Sequence, residues 1–270
     1  MQQRRPHASN ARSPQCCWAY TGRVPCAERY TTYDQFAWCY SKGWGEDYHK
    51  QARVVLEDHV FPRLTAGARV LDLCCGSGDL AMVLLANGFQ VTGIDGSERM
   101  LEYARARAPE AEFLLEDARA LRFEARFDAV LSTFDSLNHV LAIEELESVF
   151  RNVHAALADS GLFVFDLNML ESFETLWHGA TADVQNDSVV VTRGSYDPIE
   201  RTGRADITLF RREGAWERSD VTVLEKCYSQ DEVRAALDRA GFYELWVRDA
   251  CELGMRGDSA VGRTFFFAEK

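Results

Sequence analysis

Two rhythms of apolar and polar residues divide the chain. Arg69 to Cys74 is a run that reads as a buried strand. Leu80 to Asn87 has helical spacing and ends at Gly88, because glycine readily takes the left-handed turn that closes a helix. Phe89 to Ile94 is the next strand, and Ser97 can cap a helix through Arg107, with Pro109 just beyond. Glu112 to Leu115 and Phe127 to Ser132 follow as strands. Ile143 to Ala158 places Leu146, Val149, Phe150, Val153 and Leu157 on one helical face. Leu162 to Leu167 is a fifth strand, and Tyr48 to Val60, stopped by Pro62, is a helix ahead of the series. Strands alternating with helices at this spacing imply a parallel sheet covered on both faces.

From about Ser172 to Lys226 the rhythm changes to period two, in Ser188 to Tyr196, Arg204 to Arg211 and Trp216 to Lys226. Turn residues at Asp197-Pro198 and Glu213-Gly214 separate the segments. This predicts an antiparallel insert over one edge of the sheet. A capping box, Ser229 with Glu232, then opens a helix that Gly241 ends. Tyr243 to Val247 and Arg263 to Ala268 follow with no helix between them, so they should pair antiparallel. The expected fold is α/β: a doubly wound, seven-stranded, mostly parallel sheet whose last strand is antiparallel, plus an inserted antiparallel β subdomain.

Residues 1–28 mix Arg, Pro, Ser and Cys without period and read as a disordered or loosely docked tail; 29–270 read as one domain with an insert or lid at 172–226. Met1 to Asn10 is polar and no apolar segment follows, which argues against a secretory signal. No run approaches the roughly 20 apolar residues of a membrane span. The 270 residues are 47% hydrophobic and 27% charged, enough for one sizeable core. A net charge of −12 disfavours a grip on nucleic acid, which needs a basic face, and otherwise serves solubility. The eight cysteines (Cys16, Cys17, Cys26, Cys39, Cys74, Cys75, Cys227 and Cys251) contain no C-x-x-C pair and no zinc spacing. They read as reduced thiols of a cytoplasmic protein, with no metal expected and a homodimer compatible with the sequence.

The chemistry gathers where the first strand ends. Gly76-x-Gly78-x-x-Ala81 fits a loose dinucleotide fingerprint, which by itself serves any nucleoside ligand. Asp72 precedes this turn and Asp79 lies within it. A pyrophosphate gains from amide N–H groups and loses from nearby acids, so two carboxylates favour a ligand that is cationic at that end. Asp95 ends the second strand, where a carboxylate can accept both ribose hydroxyls, and Asp117 follows the third, where one can accept from an adenine amino group.

Val70 to Asp79, Asp95 and Asp117 resemble, position by position, the cofactor motifs of class I S-adenosylmethionine-dependent methyltransferases. The resemblance implies that Gly76 and Gly78 hold the methionine part, Asp95 the ribose, and Asp117 with Ala118 the adenine. Asp72, Cys74, Gly96, Thr133 and Tyr33 fall on the same cofactor side. Cys74 and Cys75 stand where the family has Ala or Gly, and cysteine is small enough to serve. Phe127 to Val140, with its F-D-S-L-N-H segment, resembles a subgroup acting on small metabolites, which includes sugar N-methyltransferases. That likeness puts Phe134, Asn138, Asn168 and Trp44 on the acceptor side and makes His139 a candidate general base, because an unperturbed imidazole titrates near neutrality. The stretch from Tyr30 to Tyr48 is unusually aromatic (Tyr30, Tyr33, Phe36, Trp38, Tyr40, Trp44 and Tyr48), and Tyr33, Trp38, Tyr40 and Trp44 read either as a cation cage or lid or as packing of the N-terminal helix onto the sheet.

The expected activity is methyl transfer to nitrogen or oxygen of a small molecule. Such a displacement needs alignment more than a nucleophile, which suits the lack of a Ser-His-Asp pattern. The rivals are a nicotinamide-dinucleotide oxidoreductase, disfavoured by Asp72 and Asp79, and a non-catalytic nucleoside-binding module. A nucleic-acid methylase is disfavoured by the charge and by S-T-F-D-S at Ser132 to Ser136 in place of N-P-P-Y.

Overall fold

The computed structural model describes residues 31–270. The expectations for the tail at 1–28, for a signal segment, and for Cys16, Cys17, Cys26 and Tyr30 lie outside the described residues.

The main sheet has seven strands: β1 (Arg69–Leu73), β2 (Gln90–Asp95), β3 (Glu112–Leu115), β4 (Phe127–Ser132), β5 (Leu157–Asn168), β10 (Tyr243–Asp249) and β11 (Arg263–Glu269). A second sheet holds β6 (Gly179–Val184), β7 (Ser188–Asp197), β8 (Thr202–Glu213) and β9 (Ala215–Lys226). The main order is β3-β2-β1-β4-β5-β11-β10. Neighbours from β3 through β5 are parallel, and β11 runs antiparallel to both β5 and β10, as expected for the last strand. The helices are α1 (Thr31–Ser41), α2 (Glu46–His59), α3 (Asp79–Ala86), α4 (Glu98–Arg107), α5 (Ile143–Ala156), α6 (Leu170–Leu176) and α7 (Gln230–Ala240).

Successive strand residues alternate faces. Val70, Ala129, Val164 and Phe265 therefore join the side chains of α2, α3 and α4 in one core. Leu71, Val130, Phe163, Phe165 and Phe266 join α5 and α7 in the other. Ser97 caps α4 by accepting from the Met100 N–H at 3.1 Å, and the Ser229–Glu232 capping box opens α7 as predicted. Helix α5 stops at Ala156, two residues early. Leu157 is fully buried and pairs with Phe127 as strand instead.

Three elements were not foreseen. Helix α1 lay hidden in the aromatic run, α6 is short, and β6 is an exposed edge strand without an apolar rhythm. The insert is also placed differently from the expectation of a sheet edge. Its apolar face (Val190, Ile207, Leu209, Val221) packs on Phe36 and Cys39 of α1. Strand β9 is tied to the carboxyl ends of the main strands, because the Asn138 amide donates to the Asn168 carbonyl (3.0 Å) and the Lys226 carbonyl (2.8 Å). The insert therefore roofs the end of the sheet where doubly wound folds place ligands.

Candidate active site

The carboxyl ends of β1, β2 and β4 open into a cavity of about 850 Å³. Asp72, Cys74, Gly76, Asp95, Gly96, Ala118, Thr133 and Tyr33 all line it. Asp72 sits one residue before the end of β1 and is 2% exposed, and its Oδ2 has no hydrogen-bond partner. Burial, then the charges of Asp95 and Asp79, push its carboxyl up to about 8. Asp95 is anchored by backbone: Oδ2 accepts from the Gly76 N–H (2.9 Å) and Oδ1 from the Ser97 N–H (2.8 Å). Burial raises it to about 6 against those donors.

Gly76 has a φ of 51°, and a Cβ there would meet no protein atom within 4 Å. A side chain would project into the cavity, so the glycine leaves a cradle for a ligand. Gly78 does not line the cavity. With a φ of 82°, it lets the turn press on α4, where a Cβ would lie 2.9 Å from the Ala104 Cα. It serves close packing rather than ligand contact.

Two acids differ from expectation. Asp79 lines the cavity but is paired with Arg107 at 2.5 Å, and Ser77 Oγ donates to it at 2.7 Å. Its charge is answered inside the protein, so the argument against a phosphate rests on Asp72 alone. Asp117 does not reach the wall: its two oxygens accept from Arg119 Nε and Nη2, each at 2.8 Å. A neighbouring arginine that reaches back to the acid has captured it, and Glu116 and Ala118 line the cavity in its place.

Beyond lies a second cavity of about 1000 Å³, roofed by the insert and lined by Trp44, Phe134 and Asn168. Tyr33, Tyr40, Phe134 and His139 line both cavities and so form the wall between them. The Tyr33 hydroxyl in this wall is buried without a partner. Asn138 does not line either cavity. Its amide is consumed by the bonds to Asn168 and Lys226, a consequence of the insert's position that the sequence pattern did not carry.

His139 ends a 3-10 turn, Ser136–His139, and its ring meets the Tyr33 ring edge-on at 5.5 Å. Its Nδ1 lies 3.0 Å from the Leu224 carbonyl oxygen, so Nδ1 carries the hydrogen in the neutral ring and Nε2 keeps a lone pair. Burial lowers its pKa. The loop before it is strained, with Phe134 and Asp135 both left-handed (φ 65° and 49°). Asp166 holds that shape: its carboxylate accepts from the N–H groups of Phe134 (2.8 Å) and Asp135 (3.2 Å) and from the Tyr48 hydroxyl (2.8 Å). Arg263 bridges Asp166 and Asp135 below the loop.

Asp135, Glu225 and Arg263 line these cavities but were not singled out from the sequence. Asp135 stood within the F-D-S-L-N segment. Glu225 occupies an inward register of β9, and Arg263 pairs with Asn168 across β5 and β11. Only the tertiary arrangement brings them together.

The methyltransferase domain family matches residues 70–161, from β1 into β5. A putative methyltransferase of Geobacillus sp. is 29% identical over 247 residues, covering 88% of this chain and 99% of that protein. The dTDP-3-amino-3,6-dideoxy-alpha-D-glucopyranose N,N-dimethyltransferase of Streptomyces fradiae is 30% identical over 195 residues, covering 72% and 71%. The chain belongs to the class I S-adenosylmethionine-dependent methyltransferases. Among solved structures, an S-adenosylmethionine-dependent methyltransferase from Clostridium acetobutylicum superposes with a TM-score of 0.73 at 22% identity, covering 88% of this chain and 98% of that one. This methyltransferase therefore uses S-adenosylmethionine, and its first cavity fits that molecule. The bare Asp72 oxygen suits an ammonium group, the Gly76 cradle leaves room beside it, and the Asp95 carboxylate is already oriented by backbone donors.

Proposed function

We propose that this methyltransferase acts on nitrogen or oxygen of a small organic molecule held in the second cavity. The observation that carries this reading is the shared wall: the aromatic rings and His139 separate a cavity with the acids of an adenosyl site from a second, aromatic-lined cavity. When bound, S-adenosylmethionine supplies a methyl group on a cationic sulfur that leaves as a neutral thioether. Asp72 receives the ammonium of its methionine part, Gly76 and Cys74 pack that part, and Asp95 with Gly96 takes the ribose. Glu116 and Ala118 flank the adenine. Tyr33 and Thr133 border the methyl group, and Trp44, Phe134 and Asn168 shape the acceptor chamber and exclude water. Residues 29–270 work as one domain with 172–226 as its lid. We place the enzyme in the cytoplasm, where its described cysteines, all unpaired, stay reduced. The net charge of −12 supports a partner other than nucleic acid.

The test is titration calorimetry with S-adenosylhomocysteine, which carries the same ammonium. Asp72, raised to about 8 in the free protein, is mostly protonated at neutral pH, whereas an adjacent ammonium requires it ionised. Binding should therefore release up to one proton, and affinity should tighten by up to about tenfold per pH unit until the pH passes that value. Proton release is read from the dependence of the heat on buffer ionisation enthalpy. Binding of a nicotinamide dinucleotide but not of S-adenosylhomocysteine would overturn the reading.

A further inference from the structure

Four carboxylates, Asp72, Asp79, Asp95 and Glu116, line the cofactor cavity, and among the described residues no lysine or arginine lines it. S-adenosylmethionine brings two positive centres, an ammonium and a sulfonium, and a carboxylate of its own. It cannot answer four acids at once. Asp79 is answered from behind the wall. Arg107 ends α4 and does not line the cavity. Its Nη1 donates to Asp79 Oδ2 at 2.5 Å and to the carbonyl and hydroxyl oxygens of Ser77, each at 2.8 Å.

A glycine makes this contact reachable. Gly78 lets the turn lie against Ala104 of α4. Arg107 stands one helical turn further along the same face, so its guanidinium meets Ser77 and Asp79 on either side of that glycine. The last turn of α4 also suits a cation, because the helix carbonyls point that way. Nη2 donates to the Ser41 carbonyl at 3.3 Å, which ties the end of α1 to the same turn. The side chains of Arg107 and Asp79 are only 23% and 30% exposed, so solvent screens the pair less than it would a surface pair.

We propose that Arg107 is a positioning residue of the cofactor site: it holds Ser77 and Asp79 in place and offsets the Asp79 charge, which leaves Asp72 able to ionise against the methionine ammonium. This rests on the proposed placement of that ammonium at Asp72. The groups facing Asp72 are Asp95 from β2, Asp79 from the start of α3, the thiols of Cys74 and Cys75, and the Ala81 N–H. Burial, then the charge of Asp95, then that of Asp79 favour protonated Asp72, and the Ala81 N–H opposes them. His49, which lines the cavity, feels the same pair: burial favours its neutral ring, Asp79 the charged one, and Arg107 opposes Asp79. Without Arg107 the whole charge of Asp79 faces Asp72. Asp72 then keeps its proton to higher pH, and the ammonium displaces that proton at greater cost.

The test is the pH dependence of S-adenosylhomocysteine affinity, measured by calorimetry on the full chain, for wild type, Arg107→Gln, Asp79→Asn and the double variant. At pH 7 Arg107→Gln should bind about tenfold more weakly. Its affinity should go on tightening to a pH roughly half a unit or more above the wild-type plateau. Arg107→Lys, which keeps the charge, should bring the plateau back. Asp79→Asn should move the plateau down, and in that background Arg107→Gln should displace it much less. A merely structural staple would lower affinity and melting temperature but leave the plateau in place. An unmoved plateau in Arg107→Gln, or the same displacement with and without Asp79, therefore overturns the proposal. If Arg107→Gln fails to fold, Asp79→Asn decides alone: a plateau that stays at the wild-type pH overturns it. Wild-type affinity that does not vary between about pH 6 and 9 counts instead against the ammonium at Asp72.

Discussion

Replacing Arg263 by methionine should lower folding stability by about 3–5 kcal/mol, the typical cost of stranding buried charges. Arg263 is 5% exposed. Its guanidinium contacts Asp166 and Asp135, donates from Nε to the Ser259 carbonyl at 2.8 Å, and lies over the Tyr48 ring at 4.7 Å. Methionine retains much of the apolar stem but leaves two acids without their cation in a water-poor site. Asp166, in turn, holds the left-handed backbone of Phe134 and Asp135, so the damage should spread to the wall between the cavities. Urea denaturation at pH 7 measures the loss. The loss should shrink on acidification, because Asp166, whose pKa burial raises, no longer needs a counter-charge once protonated. A loss below about 1 kcal/mol, the scale of an exposed ion pair, would show that the network contributes little.

This network also marks the limit of what the sequence carries. The main sheet was legible because its signals are local: buried runs, the Ser97 cap, the Ser229–Glu232 capping box, and glycines closing helices. The cofactor cavity was legible for a related reason, since doubly wound topology places strand-end residues such as Asp72 and Asp95 at one crevice. Asp117 shows where position stops being sufficient, because Arg119, two residues on, turned the carboxylate away from the wall. Asn138 shows the same for the roof: a side chain that looks exposed in a loop is consumed once β9 settles over it. Glu225, Asp135 and Arg263 come from three distant segments, and no spacing rule relates them. What brings them together is the docking of the insert, an event of packing with no periodicity of its own.

Asp95→Ala should weaken S-adenosylhomocysteine binding by about 2 kcal/mol, roughly thirty-fold, through loss of charge-assisted hydrogen bonds to the ribose. The carboxylate is pre-aimed: with Gly76 and Ser97 N–H groups each fixing one oxygen, it pays little entropy to meet a diol. The same bonds make alanine a double change, since it also removes acceptors from two backbone donors in the turn. Asp95→Asn separates the effects, because its amide oxygen still accepts one N–H while the negative charge is gone. Its loss should fall between wild type and alanine. The fold should survive either change, because Ser97 Oγ still caps α4. Calorimetric titration gives the affinities, and thermal unfolding without ligand shows whether each variant is folded. A folded Asp95→Ala protein that binds S-adenosylhomocysteine as tightly as wild type would remove Asp95 from the ribose site.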